Sequence, residues 1–425
     1  MQKKRLVIIG GGFAGLNVAK NIDKTLYDVT VVDRHNYHSF PPLFYQVASS
    51  GLEPASISFP LRRELTRRCY RGCRYHMGDV RAIDASAKLV RTQYEDIPYD
   101  VLVIAAGTTN NFFGNTELEK HVYTLKSTPQ AIRCRNEILD RLERASLTAD
   151  AGARRRLLTF AVIGGGPTGV EIAGALGELK RFVLKKEYPG IKENEVKVIL
   201  IEGTDRLLRT MSARSSADAA KALDQLGVEV RLHTMTKSYT KGIVELEGGE
   251  TFAADTVIWT AGVQGVAFDL ENTDVKPSFG GRFDVDEYNA VRGLDDVYAI
   301  GDIALHMDEK YPKGHPQVAQ VAIQQGRTLA RNLSRPDSRK PFEYHDKGSM
   351  ATIGRNRAVV DMGKMHLSGR LAWMAWMFIH LISLLGMRNK IVVLVNWTYS
   401  YFTFSSGLRL MLRPGKYPVR SYWND

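Results

Sequence analysis

The sequence predicts an α/β fold in which a parallel strand, a glycine-rich turn and a helix occur in this order twice. The first copy spans residues 5–15 and the second residues 158–176. In both, a short apolar run typical of a buried strand leads into G-x-G-x-x-G, and a helical pattern follows. One such pattern is weak evidence, but two copies in the same strand–turn–helix context indicate two Rossmann-like dinucleotide-binding domains. With 425 residues, the chain is long enough for two or three domains.

The glycines of these turns have a specific physical role. They permit a tight turn, and they let backbone N–H groups approach a pyrophosphate at the positive end of the following helix. The pattern glycines are Gly10, Gly12 and Gly15 in the first copy and Gly164, Gly166 and Gly169 in the second. We therefore expect one dinucleotide to bind at each turn.

An acidic residue follows the next predicted strand in each half of the chain. Asp33 ends the strand 29–33, where a carboxylate accepts hydrogen bonds from a ribose diol. Glu202 ends the strand 196–202, and it favours NADH over NADPH because it pairs with a free 2′-hydroxyl and repels a 2′-phosphate. Arg206 lies nearby and weakens this preference.

Further segments complete the two predicted sites. Residues 34–49 are rich in proline and aromatic residues and predict a loop that lines a flat ligand. The strand 75–80 brings the Val80 backbone to an adenine edge, and the strands 99–107 and 255–262 both end in an Ala-Gly turn. The strand 296–304 returns the chain to the first domain and delivers Asp302, whose carboxylate can accept hydrogen bonds from a polyol.

A glutamine-rich segment, residues 315–326, follows and is predicted to be helical. Gln320 and Gln324 are four residues apart and lie on one helical face. Solvated amides on a surface helix are one interpretation. Next to the two nucleotide sites, we favour neutral hydrogen-bond donors for a carbonyl oxygen.

The C-terminal region has a different composition. No acidic residue occurs between Asp361 and Asp425, and the uncharged runs 371–387 and 391–408 are too short or too polar for a good span of about 20 apolar residues. Its basic residues are Lys364, Arg370, Arg388, Lys390, Arg409, Arg413, Lys416 and Arg420, and its tryptophans are Trp373, Trp376, Trp397 and Trp423. This mixture is typical of a membrane interface. A buried dimer interface and a true span are the alternatives.

Charge and cysteine content limit the partners and the compartment. The net charge of +12 is compatible with nucleic acid or an anionic membrane, and the apolar character of the basic tail favours the membrane. Cys69, Cys73 and Cys134 indicate a reducing compartment without a disulfide framework. Cys69 and Cys73 are either a redox pair or, as we prefer, incidental thiols on a basic helix at 62–74. We see no secretory signal and expect no metal site.

Taken together, the motifs resemble those of type II NADH dehydrogenases, the non-proton-pumping NADH:quinone oxidoreductases. The similar stretches are GGGFAG, the loop RHNYHSFPPLFYQVA, VIGGGPTGVEIAGAL, YAIGDIA, AQVAIQQG and the aromatic, basic tail. They cover nearly the whole chain. The resemblance implies non-covalent FAD in the first domain, NADH in the second, and ubiquinone or menaquinone entering from the membrane. It also implies a homodimer resting on the cytoplasmic side of the cell inner membrane as a peripheral, monotopic protein.

The resemblance further implies roles for individual residues. The residues implied at FAD are Gly10, Gly11, Gly12, Phe13, Ala14, Gly15, Asp33, Arg34, Gln46, Val80, Ala106, Gly107, Asp302 and Ala319. The residues implied at NADH are Gly164, Gly166, Gly169, Glu171, Glu202 and Gly262. Glu171 matches a catalytic carboxylate near the flavin, and Gln320 and Gln324 match glutamines that face the quinone. Lys390 is a weaker candidate at the quinone end, where an interfacial anchor is the preferred role.

These assignments give a three-part organisation. Residues 1–125 and 290–368 form the FAD domain, residues 126–289 form the inserted NADH domain after a polar linker at 149–156, and residues 369–425 form an amphipathic helical membrane-surface region. Sulfide:quinone oxidoreductase is the nearest alternative enzyme, but the three cysteines fall in the wrong segments for it. A membrane-docked, NADH-sensing flavoprotein without turnover is the alternative from another functional class.

Overall fold

The computed structural model describes residues 2–403 and 408–411. Two five-stranded parallel sheets dominate it, and in each the strand before the glycine-rich turn is central. In spatial order the first sheet consists of Val297–Ala299, Val101–Ile104, Lys4–Ile9, Tyr27–Asp33 and Cys73–Met77. The second sheet consists of Tyr123–Thr124, Thr256–Trp259, Thr159–Ile163, Lys197–Ile201 and Val228–Arg231. Both glycine-rich turns therefore lie at the carboxyl edge of a parallel sheet, where ligands bind in such folds.

Smaller sheets surround these two. One joins Asp269–Glu271 to the meander Val80–Asp84, Leu89–Thr92 and Asp96–Pro98. Another is the meander Thr236–Thr240, Ile243–Leu246 and Thr251–Ala253, and the C-terminal sheet is Ser349–Thr352, Ala358–Met362 and Met365–Ser368. Three two-stranded pairs are Thr108–Asn110 with Val263–Gly265, Tyr37–Ser39 with Ser58–Pro60, and Phe283–Asp284 with Ala304–Leu305. Residues 263–289 belong to the predicted NADH domain, but their strands pair with strands from both segments of the predicted FAD domain. The domain limits stay a prediction.

Helices cover the sheets and form the C-terminal region. The α-helices are Phe13–Asn21, Phe44–Ala48, Pro54–Ile57, Leu61–Leu65, Thr116–His121, Thr128–Leu147, Ala151–Leu157, Pro167–Glu178, Leu184–Glu187, Ala213–Gln225, Ala319–Ser334, Gly369–Ser383 and Met387–Thr403. A π-helical turn, Leu179–Val183, joins two of them, so one helical rod, which we call the site helix, runs from Pro167 to Glu187. Short 3₁₀ turns are Pro41–Leu43, Arg68–Tyr70, Glu193–Glu195, Phe279–Gly281, Gly301–Ile303 and Pro336–Ser338.

Three predicted elements are wrong in detail. The predicted linker 149–156 contains the helix Ala151–Leu157, which Asp150 caps by accepting the Ala153 N–H at 2.6 Å. The basic segment 62–74 is α-helical only to Leu65, makes a short 3₁₀ turn at Arg68–Tyr70 and enters the first sheet at Cys73. The glutamine-rich helix begins at Ala319 rather than at 315, in agreement with the tendency of proline, here Pro316, to exclude the preceding residue from a helix.

The two C-terminal helices, Gly369–Ser383 and Met387–Thr403, form a layer that we call the foot. One side is packed into the protein through Ala372, Trp376 and Val393, which are buried. The opposite side exposes large apolar side chains: Leu371, Met374, Phe378, Ile379, Ile382, Met387, Ile391, Leu394, Val395, Tyr399 and Phe402. No helix within the described ranges is long and apolar enough to cross a bilayer. Arg413, Lys416, Arg420 and Trp423 lie outside the described residues.

Candidate active site

The first glycine-rich turn has the geometry of a phosphate site. Gly10 has a φ of 106°, and a Cβ there would collide with the Ala105 carbonyl, while a Cβ at Gly15 would collide with the carbonyl of Gly10. At Gly12, in contrast, an added Cβ would meet no atom within 4 Å. Gly12 is the N-cap of the helix Phe13–Asn21, and it provides no side chain to cap the first amides of that helix. A helix N-terminus that is open in this way favours an anion.

Asp33 is held directly against this turn. Its carboxylate accepts the Gly11 N–H at 2.6 Å and the His35 N–H at 2.8 Å. Burial raises the pKa of Asp33, and these two amides oppose that rise. Arg34 pairs with Asp79 at 3.5 Å, immediately before Val80. Asp33, Arg34 and the start of the strand Val80–Asp84 therefore lie together at one end of the first sheet.

The Gly301–Ile303 turn brings Asp302 to the same region. The space beside Gly301 is bounded by Ala14 of the first glycine-rich helix and by Ala322. Two glutamines that we had not assigned hold the turn: Gln325 accepts the Gly301 N–H at 2.7 Å, and Gln317 donates to the Asp302 carbonyl at 3.0 Å. The position of Asp302 thus depends on the glutamine-rich segment, although not on the two glutamines that we had selected.

Lys126 is a third residue to which the sequence assigned no role. Its ammonium donates to the Thr108 hydroxyl at 2.8 Å, and that hydroxyl donates to the Asp302 carboxylate at 3.3 Å. Burial lowers the pKa of Lys126, and the charge of Asp302 opposes this shift. These two hydrogen bonds, from Lys126 through Thr108 to Asp302, lie next to the Ala106–Gly107 turn. Gly107 has a φ of 70° and open space beside it. No motif marks Lys126; only the fold places it near Asp302.

The second glycine-rich turn repeats the first. Gly164 has a φ of 110°, a Cβ at Gly169 would collide with the Gly164 carbonyl, and Gly166 faces open space. Glu202 accepts the Gly165 N–H at 2.5 Å and the amide two residues after itself at 2.8 Å. Gly262, with a φ of 85°, follows the adjacent strand Thr256–Trp259 by three residues and lies beside Phe113. The side chain of the nearby Arg206 donates to a backbone carbonyl at 3.1 Å.

Glu171 lies in the second turn of the site helix and does not face water. It is only 7% exposed, and its carboxylate accepts a long hydrogen bond from the Thr352 N–H at 3.5 Å. Burial raises the pKa of Glu171 well above its usual value, and the long Thr352 bond opposes this only in part. The tyrosine hydroxyl of Tyr45, from the helix Phe44–Ala48, is buried nearby: after burial itself, the charge of Glu171 is the largest cause that raises the pKa of Tyr45. A carboxyl group whose pKa is raised in this way is suited to proton donation.

The remaining predicted residues make hydrogen bonds within the protein. Gln320 and Gln324 both use their amides to hold the backbone at 345–348: Gln320 donates to the Gly348 carbonyl at 3.1 Å, and Gln324 donates to the His345 carbonyl at 2.9 Å. Gln46 lies in the helix Phe44–Ala48 within the segment predicted as a loop, and it accepts from the Trp397 indole at 2.7 Å, which links this helix to the foot. Lys390 donates to the Ile382 carbonyl at 2.6 Å and so caps the first foot helix.

The cysteines do not form a dithiol at this site. Cys69 is exposed, Cys73 is partly exposed on the edge strand of the first sheet, and Cys134 is buried; all three are free thiols. Among the residues that the structure describes, no group of three or more His, Cys, Asp or Glu side chains is arranged to hold a metal ion.

Comparison with known proteins identifies the family of this chain. The family model of the pyridine nucleotide-disulphide oxidoreductases matches residues 4–326, and the model of the NDH2 C-terminal domain matches residues 346–404. The type II NADH:quinone oxidoreductase NdhA of Mycobacterium tuberculosis is 36% identical over 95% of this chain and 88% of its own length. The chain belongs to the type II NADH:quinone oxidoreductases.

Solved structures show the same fold in that family. NDH2 from Plasmodium falciparum in complex with NADH has a TM-score of 0.89 at 21% identity, and the match covers 97% of this chain and 100% of the other. The sulfide:quinone oxidoreductase of Aquifex aeolicus also shares the fold, with a TM-score of 0.72 at 18% identity and coverage of 94% and 95%. The predicted family, fold class and enzyme class are confirmed. The roles of the individual site residues stay predictions.

Proposed function

We propose that this enzyme oxidises NADH through a non-covalently bound FAD and reduces a membrane quinone without pumping protons. The observation that carries the proposal is the course of the site helix. It begins at the second glycine-rich turn, presents the buried Glu171 next to it, and ends at the foot, where Lys186 donates to the Thr403 carbonyl at 3.2 Å. One rigid element thus connects a water-facing nucleotide site with an apolar surface.

The residues present fit FAD at the first turn. The open space at Gly12 accommodates the pyrophosphate, Asp33 is positioned for the adenosine ribose, and Asp302 is positioned for the ribityl chain. When bound, FAD accepts a hydride from NADH and passes two electrons to the quinone. The chain's own residues orient the two nucleotides, and Glu171 holds a proton beside the reaction.

The proposal extends to the place of the reaction. The exposed apolar side of the foot, flanked by the basic Arg370 and Arg388, suits the headgroup boundary of an anionic membrane. The quinone, which is either ubiquinone or menaquinone, would enter there, while NADH enters from water on the cytoplasmic side. A homodimer resting on the inner membrane is part of this proposal. The cysteine positions do not favour the sulfide:quinone alternative, because Cys69 lies in the 3₁₀ turn Arg68–Tyr70, Cys73 on the edge strand of the first sheet and Cys134 in the helix Thr128–Leu147.

An NADH oxidation assay on the purified chain, with and without a short-chain quinone, tests the proposal. We expect bleaching of the bound flavin by NADH and its reoxidation by quinone at a rate that supports turnover. A flavin that NADH reduces but that quinone leaves reduced would instead support the sensor alternative. Reconstitution in vesicles that contain a pH-sensitive dye tests the absence of proton pumping.

A further inference from the structure

One histidine joins the C-terminal sheet to the half of the chain that carries the second glycine-rich turn. His366 lies on the strand Met365–Ser368, which runs directly into the first foot helix. Its Nδ1 is 3.0 Å from Oδ1 of Asp361, on the neighbouring strand, and its Nε2 is 3.0 Å from Oδ2 of Asp218, on the helix Ala213–Gln225. Only 11% of the His366 side chain is exposed. The ring therefore bridges two carboxylates from different parts of the chain.

The partners of this ring favour its charged form. A carboxylate only accepts hydrogen bonds, so both contacts form only when both ring nitrogens carry a proton. In the neutral ring, one nitrogen presents a lone pair to a carboxylate oxygen, and that contact is lost. The Ser215 hydroxyl is 3.1 Å from Nδ1 but donates to Asp361 at 2.9 Å, so it can serve a neutral ring only by leaving that carboxylate. The charge on His366 therefore decides how firmly the strand and the helix are held together.

The charges around the ring come from three packed elements: the strand Ala358–Met362, the helix Ala213–Gln225 and the first foot helix. Burial acts to raise the pKa of Asp361, but hydrogen bonds from the Ser212 N–H, His366 and Ser215 outweigh burial and hold this pKa below its usual value. The carboxylates of Asp361 and Asp218 contact the ring, whereas the neighbouring cationic side chains are exposed: Arg214, Lys221, Lys364 and Arg370. We call the group of His366, Asp361, Asp218 and Ser215 the histidine bridge.

The histidine bridge also caps the helix Ala213–Gln225. Asp361 accepts the Ser212 N–H at 2.7 Å and the Ser212 hydroxyl at 3.1 Å, and Ser212 accepts the Ser215 N–H at 3.1 Å. A negative charge at the N-terminus of a helix is favoured by the helix dipole. The start of this helix is therefore held by a side chain from the C-terminal sheet.

The first turn of the same helix holds the loop 203–212, which follows the predicted ribose carboxylate of the second site. The Ser216 hydroxyl donates to the Leu207 carbonyl, and the Leu208 N–H donates to the Gly165 carbonyl at 2.8 Å. The loop is thus fixed between the second glycine-rich turn and the helix that the histidine bridge anchors. In such a fold this loop borders the adenosine ribose of a bound dinucleotide.

We propose that charged His366 is a positioning residue that holds the loop 203–212 in the conformation that binds the adenosine half of NADH. The inference rests on the proposed function in one respect, the location of NADH at the second glycine-rich turn. A loop that is ordered before the nucleotide arrives reduces the ordering that binding requires. When the pH rises and the ring loses its proton, the contact with one carboxylate is lost and the affinity for the nucleotide falls.

The dissociation constant of ADP-ribose, measured by calorimetry on the FAD-loaded chain, tests this inference without turnover. ADP-ribose lacks the nicotinamide, so the probe leaves out the half of NADH that is predicted to lie near Glu171. We expect the parent to bind at least about threefold more weakly at pH 8 than at pH 5, the range in which histidines change charge, because a charge-assisted hydrogen bond is lost. His366→Gln should bind at both pH values as weakly as the parent at pH 8. Gly166→Ala should weaken binding throughout, since the probe occupies the second turn.

Matched variants separate the charge of the ring from its packing. Asp218→Asn keeps the shape of the side chain and an oxygen that accepts from Nε2, but it removes one negative charge. The midpoint of the affinity change should therefore move to lower pH, because a carboxylate favours the protonated ring. This variant also serves if His366→Gln does not fold. His233→Gln removes an exposed histidine whose N–H donates to the Thr204 carbonyl in the same loop at 2.9 Å, and it should keep the parental profile.

Steady-state kinetics give a second readout. At pH 5, His366→Gln should raise the KM for NADH while kcat at saturating NADH stays within about twofold of the parent, because the histidine bridge acts on binding of the nucleotide and not on the chemical step. An equal loss in kcat would indicate a general packing defect and would overturn the inference.

The remaining outcomes are distinguishable. A parental affinity that does not change with pH would overturn the inference, and so would a parental profile in His366→Gln, an unshifted midpoint in Asp218→Asn, a lost profile in His233→Gln or parental affinity in Gly166→Ala. Absence of ADP-ribose binding would reject both this inference and the predicted NADH site. Absence of quinone reduction together with the expected pH profile would reject the proposed function alone.

Discussion

Asp33 and Glu202 make the same contact in the two parallel sheets. Asp33 accepts the Gly11 N–H at 2.6 Å, and Glu202 accepts the Gly165 N–H at 2.5 Å. The second oxygen of each carboxylate accepts the amide two residues further along the chain, at 2.8 Å in both cases. Each carboxylate is therefore fixed beside a glycine-rich turn before any nucleotide arrives, which reduces the ordering that binding requires.

The first prediction concerns the choice of nucleotide. We expect the parent enzyme to use NADH in preference to NADPH, because Glu202 repels a 2′-phosphate. Glu202→Gln keeps the size of the side chain and removes the charge, so the ratio of kcat/KM for the two nucleotides should fall about tenfold, or ~1.4 kcal/mol. Asp205→Asn removes a charge from an exposed position in the same loop and should leave the ratio unchanged. Equal use of both nucleotides by the parent would contradict the assignment.

A second prediction compares the two glycine-rich turns by identical changes. Gly12→Ala and Gly166→Ala each place a methyl group in open space, at backbone angles that alanine adopts readily. Both chains should fold, since the added Cβ meets no protein atom. We expect Gly12→Ala to purify without the flavin absorbance and Gly166→Ala to retain FAD but show a raised KM for NADH. If the two effects were exchanged, the assignment of the sites would be reversed.

The parts of the fold that could be predicted are those with short-range causes. In both glycine-rich turns, a Cβ at the first or the last pattern glycine would collide with backbone a few residues away or next to the adjacent strand. Glycine is therefore required at these positions, and the sequence pattern is diagnostic. The helix Ala151–Leu157 was missed because its anchoring is distant: Arg154 pairs with Glu195 at 2.8 Å, 41 residues away. Local polarity alone made this helix resemble a linker.

The same distinction applies to the candidate site. Glu171 was selected from its place after the second turn, but its burial depends on Thr352, 181 residues further along the chain. Lys126 carries no motif and acquires its surroundings only when Thr108 and Asp302 meet. The amides of Gln320 and Gln324 are engaged with the segment before the C-terminal sheet, which periodicity could not reveal.

The third prediction follows from the pKa of Glu171, which burial raises. Below the usual carboxyl pKa, Glu171 is protonated in both the folded and unfolded chain. As the pH rises above that value, the unfolded chain loses the proton while the folded chain retains it, so stability falls until the folded pKa is passed. Glu171→Gln removes this loss.

Denaturant unfolding at pH 5 and pH 8 measures this effect. The stability of Glu171→Gln relative to the parent should be greater at pH 8 than at pH 5, while Glu247→Gln, at an exposed position, should show no such difference. A relative stability that does not depend on pH would mean that Glu171 is ionised in the folded protein.

The last prediction concerns the foot. Deletion of residues 369–425 is a poor test of membrane binding, because Ala372, Trp376 and Val393 belong to the protein core. The side chains of Leu371, Phe378 and Ile382 are instead 70%, 64% and 54% exposed, so their replacement leaves that core intact.

We expect the triple change Leu371→Gln, Phe378→Gln and Ile382→Gln to weaken flotation with anionic vesicles by about a hundredfold. Burial of each parent side chain in lipid contributes at most about 1.5–3 kcal/mol, and partial insertion of three such residues accounts for a loss of this size. Unfolding stability and NADH reduction of the flavin should stay near parental values, whereas turnover with a long-tailed quinone should fall more than turnover with a soluble analogue. The control replaces three exposed apolar residues elsewhere, Tyr94, Leu147 and Phe279, by glutamine and should float like the parent. Parental flotation of the foot variant would show that this surface meets another protein chain rather than a membrane.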